Sequence, residues 1–196
     1  MSLVIAYKRG DTVYMGTDTR VIVNDSKKNE LCESNFKIQK MENGMLVGIT
    51  AERIERQTLF AYPEIFTLDK KGQLTRKHIV KEIIPRLLAV LDEEDLLQQE
   101  KGEFPYMRAC ILLAYKDVLY EICSTFTVIR YESYQALGRA AEYATASLAN
   151  TKDSDDVNER IVKALDVAAK NSNLVGAPYV LIDTKSQEYQ WIKEEK

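Results

Sequence analysis

The sequence predicts an α+β protein folded as a four-layer αββα sandwich, and three observations predict it. Strand and helix patterns come in blocks, in the order strands, two helices, strands, two helices, strands. No strand–helix–strand alternation runs through the chain, which disfavours a doubly wound parallel sheet. The helical segments carry apolar stripes along one face, the mark of helices that pack on a core. Two antiparallel sheets stacked face to face, with a helix pair on each outer side, accommodate all three.

The length of 196 residues suits one domain spanning 1–196, large enough to bury a full core. Ser2 to Lys8 reads as the first strand and Thr12 to Thr19 as its partner, with Gly10 and Asp11 in the turn. Phe36 to Met41 alternates, although the alternation slips at its end, and Glu42-Asn43-Gly44 forms a hairpin turn. Met45 to Ile49 continues as an apolar, buried strand. Thr50 is positioned to cap a helix that carries Ile54, Thr58, Ala61 and Tyr62 and stops at Pro63. Ile79, Ile83, Ile84, Leu87, Leu88 and Leu91 form the stripe of a second helix, where Pro85 predicts a kink or a late start. The acidic run Asp92 to Asp95 and the polar stretch Gln98 to Glu103 read as a solvated connection.

Strand signals return at Cys110 to Tyr115, Val118 to Ser124 and Thr127 to Tyr131, with Lys116-Asp117 as a tight turn. Gly138 leads into a helix through Tyr143 and Leu148. Asp153 and Asp156 open another with the face Val157, Ile161, Leu165 and Ala168. Pro178 to Asp183 and Glu188 to Ile192 close the chain as a hairpin.

Composition excludes several function classes. A net charge of −3 gives no basic surface for nucleic acid or anionic lipid. No apolar run approaches bilayer length, and the first one is short and meets Lys8-Arg9 at once, unlike a signal peptide. The cysteines (Cys32, Cys110, Cys123) are odd in number and lack CxxC spacing, so neither a disulfide framework nor a zinc site is expected. A reducing cytoplasm is the expected compartment. His78, the only histidine, lies beside Arg76 and Lys77 at a helix start and reads as a solvated or capping residue, so no metal is expected. Trp191 and Tyr189 read as core or edge packing. No Gly-rich phosphate loop and no GxSxG elbow occurs, and no cofactor is expected.

A series of short motifs carries more information. Ser2 opens the first strand and Thr17-Asp18-Thr19-Arg20 ends the second. Phe36-Lys37-Ile38 leads to Val47-Gly48-Ile49, and Tyr120-Glu121-Ile122 lies mid-chain. Ala136-Leu137-Gly138 precedes Glu142-Tyr143-Ala144, and Val175-Gly176-Ala177-Pro178-Tyr179 comes near the end. In order and spacing the series resembles the proteasome β-subunit and HslV family of N-terminal nucleophile (Ntn) hydrolases, nearly end to end.

The resemblance implies a peptidase or amidase whose first mature residue attacks the substrate carbonyl, with its own α-amine as base. An α-amine titrates near pH ~8, so part of it is free base at neutral pH. Ser2 takes that place, provided Met1 is removed, as an initiator Met before a small residue usually is. Asp18 matches the acid that pairs with an active-site lysine, Arg20 the basic residue after it, and Gly48 the glycine whose N–H helps form the oxyanion hole. The lysine, which favours a neutral amine and a nucleophilic oxygen, has two candidate positions. Counting back from Gly48 without gaps gives Ser34. The local Lys-aliphatic pattern gives Lys37, with a shorter turn at Glu42-Asn43-Gly44. An exposed lysine on an alternating strand is the other reading of Lys37.

Two positions depart from the family pattern. Arg139 stands where the resemblance places a serine that holds the terminal amine, and Ser172 lies where an aspartate is expected. Arg139 is therefore expected to pair with Asp18 instead. These departures favour a degenerate member: a weakly active or non-catalytic, oligomer-forming subunit. The alternative is an active N-terminal serine hydrolase of peptides or amides. The family forms rings, so a homo-oligomer is expected in either case.

Overall fold

The computed structural model describes residues 3–23, 26–100, 102–152 and 156–192. Met1, Ser2 and Asp153 lie outside the described residues. Strand β1 (Leu3–Arg9) pairs antiparallel with β2 (Thr12–Asp18), as the two strand patterns and the Gly10-Asp11 turn predict. A hairpin follows, β3 (Arg20–Val23) and β4 (Ser26–Asn29), which the sequence patterns do not predict. Next come β5 (Ile38–Lys40) and β6 (Leu46–Thr50), then helix α1 (Arg53–Ala61).

Thr50 does not cap α1. It ends β6, its Oγ1 donating to the Cys110 carbonyl at 3.4 Å, and Glu52 holds the cap position. The second helical rod runs through α2 (Arg76–His78), a π-helical turn (Ile79–Ile83) and α3 (Ile84–Glu93). Pro85 explains the wide turn. It has no N–H to give the carbonyl four residues earlier, and its ring would clash there, so the backbone opens by one residue. His78 is held on Thr67, its Nε2 lying 3.1 Å from the hydroxyl and 3.0 Å from the carbonyl.

The second half supplies β7 (Cys110–Tyr115), β8 (Val118–Ile122), β9 (Val128–Tyr131) and β10 (Tyr134–Gly138), then α4 (Ala141–Ala149) and α5 (Val157–Asn171). Asp156 caps α5, accepting from the Glu159 N–H at 3.1 Å. The hairpin β11 (Tyr179–Asp183) and β12 (Gln190–Ile192) ends the description.

The two large sheets run β10-β1-β2-β11-β12 and β5-β6-β7-β8-β9, with every pairing antiparallel. Three apolar clusters fill the gaps between four layers. Met45, Ile49, Leu87 and Ile111 join the first helices to one sheet. Val4, Met15, Ile38 and Leu112 lie between the sheets. Leu3, Ile5, Ile161 and Leu165 join the other sheet to α4 and α5. Gly16 permits the last contact, since a Cβ there would lie 2.3 Å from Ile161 Cγ2. The αββα sandwich is therefore present as predicted.

Candidate active site

The site is assembled where β1 begins and β2 ends. The Leu3 N–H donates to Asp18 Oδ1 at 3.2 Å, and the Thr17 hydroxyl donates to the Leu3 carbonyl at 2.7 Å. These bonds tie the start of the chain to the end of β2. The backbone N–H of Arg20 donates to the other carboxylate oxygen of Asp18 at 3.2 Å. Lys37 Nζ donates to Asp18 Oδ1 at 2.7 Å and to the Arg20 carbonyl at 2.9 Å. Both side chains of the pair are sealed from solvent, with 1% of Lys37 and 0% of Asp18 exposed.

Lys37 is thus neither exposed nor simply part of an alternating strand. It precedes β5, its carbonyl accepts from Ile49 N–H at 2.8 Å, and its amine reaches the carboxylate nineteen residues earlier. Burial pulls the Lys37 pKa down, and the Asp18 carboxylate opposes that shift. Ser34 is not its substitute. It lies exposed in the short turn Glu33–Asn35, its Oγ 3.1 Å from Cys32 Sγ.

Arg20 points its guanidinium towards the loop before β11 and donates to the Val175 carbonyl at 2.7 Å. Gly176 leaves the room for it, because a Cβ there would sit 2.1 Å from the guanidinium carbon. A second buried ion pair supports the first: Arg56 of α1 reaches Glu30 at 2.7 Å, with Arg53 3.3 Å from the other oxygen. Glu30 is anchored by its own N–H on the Thr19 carbonyl at 2.8 Å. Burial lowers the Arg56 pKa, and Glu30 opposes that shift.

Gly48 needs a correction. Its register partners are Ile38 on one side and Leu112 on the other, and a Cβ would lie 2.7 Å from both Met15 Cε and Val4 Cγ1. It is a glycine because the sheets approach closely there. Because the Ile49 N–H turns to the β5 side, alternation turns the Gly48 N–H to β7, where the ladder uses it. Ala51, two residues beyond Ile49, lies just past the end of β6. Its N–H has no hydrogen-bond partner among the described residues, and it lines a cavity of about 490 Å³. The spacing from Ser34 to Gly48, counted from Lys37 instead, ends on Ala51, so no shortened turn is required.

That cavity lies where three strand ends meet. Ala51 and Glu52 follow β6, Arg108 and Cys110 open β7, and Gly138 and Arg139 close β10. Gly138 is the register partner of Leu3, so the cavity adjoins the start of β1. The expected pairing of Arg139 with Asp18 is not formed among the described residues. Lys37 holds that carboxylate, and Arg139 is exposed on the cavity rim. Ser172 ends α5, its Oγ accepting from the Leu174 N–H at 3.3 Å. Among the described residues no cluster of three or more His, Cys, Asp or Glu side chains could hold a metal, and no helix is long and apolar enough to cross a membrane.

Glu55 braces the cavity wall from behind, its carboxylate accepting from the Arg108 N–H at 3.0 Å, while among the described residues its second oxygen meets no hydrogen-bond geometry. Burial raises its pKa, and the backbone N–H groups of Arg108 and Ala109 oppose the shift. A carboxyl whose pKa is higher folded than unfolded favours the folded state as the proton returns. On acidification from pH about 7 towards about 5, the wild type is expected to gain stability relative to Glu55→Gln, read as the difference between their urea midpoints. An unchanged difference over that range would contradict the assignment.

No protein-family model matches the chain, and no curated protein matches it. Solved structures do. BPH from Thiobacillus denitrificans superposes with a TM-score of 0.74 at 19% identity, over 98% of this chain and 100% of that one. A second structure of BPH, in complex with epoxomicin, gives 0.73 at 17% identity, over 98% and 100% of the two chains. HslV from Trypanosoma brucei gives 0.62 at 14%, over 92% and 98%, and the Gly-1 mutant of Anbu from Hyphomicrobium sp. strain MC1 gives 0.74 at 11%, over 100% and 89%. The fold is therefore the proteasome-like Ntn-hydrolase sandwich. At these identities the likeness concerns the fold.

Proposed function

We propose that this chain is an N-terminal serine hydrolase of peptide or other amide bonds, active once Met1 is removed. The observation that carries the reading is the Lys37–Asp18 pair, sealed at the start of β1. Burying a lysine is costly unless its charge is held and used. Here two of its three protons have acceptors among the described residues, Asp18 and the Arg20 carbonyl. The positive charge favours a neutral α-amine and lowers the cost of an anionic oxygen nearby.

In this reading the Ser2 hydroxyl attacks the carbonyl carbon while its α-amine takes the proton. The Ala51 N–H accommodates the negative oxygen of the tetrahedral intermediate. The proton passes to the leaving amine, and water then cleaves the ester formed on Ser2. Peptide hydrolysis by the chain lacking Met1, measured beside Ser2→Ala, tests this. Equal rates for the two proteins would overturn it.

A second reading, a non-catalytic subunit, is favoured by Arg139 and Ser172. They stand where the resemblance places the groups that tune the amine, and neither touches Asp18 or Lys37 among the described residues. Homo-oligomerisation belongs to either reading. Leu31 and Ile54, 61% and 64% exposed, flank the Glu30–Arg53 contact and would suit burial against a second copy.

A further inference from the structure

The cavity at the three strand ends is charged as well as open. Arg108 and Arg139 both line it and both are exposed. Neither guanidinium has a carboxylate within ion-pair distance among the described residues. Arg108 reaches the Gln98 amide oxygen at 3.3 Å, and Arg139 has no hydrogen-bond partner there. Among the described residues Glu52 is the one carboxylate on the lining, which there carries two guanidinium groups against one acid. Glu55 lies behind the wall, occupied with the Arg108 backbone. An arginine fork matches a carboxylate with two parallel N–H···O bonds.

The placement gives this charge a use. Arg139 directly follows Gly138, the strand partner of Leu3, and Ala51, whose N–H has no partner among the described residues, lines the same cavity. We infer that this cavity selects substrates bearing a carboxylate within about one residue of the amide to be cleaved, held between Arg108 and Arg139 while the reacting carbonyl approaches Ala51. The inference rests on the hydrolase reading for its consequence, but binding tests it separately. The carboxylate has two sources, an acidic side chain or the free carboxyl end of a short peptide.

The test uses one peptide sequence in four forms, with Glu or Gln at the probe position and with a free or an amidated carboxyl end. Binding is measured calorimetrically to Ser2→Ala, and hydrolysis by mass spectrometry with the chain lacking Met1. One acid form is expected to bind about tenfold more tightly than its neutral counterpart, the scale of one charge-assisted hydrogen-bond pair. The preference should shrink with added salt and vanish in Arg108→Met/Arg139→Met. Arg139→Met alone should remove part of it, with an unchanged thermal midpoint showing that the fold is intact. Whether Glu or the free terminus carries the preference identifies the source. Equal binding of all four forms, no binding of any, or a preference that survives both substitutions would overturn the inference. Hydrolysis without acid preference overturns the inference alone, and acid-selective binding without hydrolysis overturns the hydrolase reading alone.

Discussion

Replacing Lys37 with Met is expected to lower the free energy of unfolding by about 3–5 kcal/mol, the usual consequence of leaving one member of a buried ion pair without its partner. Asp18 would keep its bonds from the N–H groups of Leu3 and Arg20 but lose the 2.7 Å contact that balances its charge. The double variant Asp18→Leu/Lys37→Met should recover much of the loss, because apolar groups of similar size can replace a buried pair. Recovery should be partial, since both amides would then lack their acceptor. Activity should return in neither variant, which separates what the pair does for folding from what it does for chemistry. Urea midpoints read the first and peptide hydrolysis the second. A double variant that regained hydrolysis would leave Lys37 with a structural role only.

The companion pair is expected to behave differently. Arg56→Met leaves Glu30 buried with Arg53, at 3.3 Å, as its remaining ion-pair partner among the described residues. The expected loss is about 3 kcal/mol, at the low end because that contact survives. Glu30→Leu/Arg56→Met should recover stability and, unlike the Lys37 double variant, hydrolysis as well. The Glu30 tether to β2 runs through its backbone N–H to the Thr19 carbonyl, which a side-chain substitution leaves in place. Stability restored without hydrolysis would show that this pair also shapes the site.

The contrast between these pairs shows where sequence patterns stop being informative. The apolar runs on either side of Gly10-Asp11 and the apolar stripe of Ile79 to Leu91 report burial directly, so those elements fall close to where predicted. The β3–β4 hairpin was not legible, because Ser26–Asn29 is exposed throughout and leaves no apolar rhythm. β10 was hidden in the half-buried run before Gly138. At the site, a strand period cannot show that Lys37 faces a carboxylate nineteen residues earlier, and the residue type of Gly48 drew attention to packing between the sheets. The spacing from Lys37 to Ala51 was present in the sequence. It becomes usable once the position of the lysine is known.

The proposed chemistry requires Ser2 to be the nucleophile. The direct measurement is to treat the purified chain lacking Met1 with a β-lactone and map the adduct by peptide mass spectrometry, with Lys37→Met as the control. The proposed chemistry predicts one acyl adduct, on Ser2, strongly reduced in the control. An unmodified Ser2 in the chain lacking Met1 would contradict it and leave the non-catalytic reading in its place.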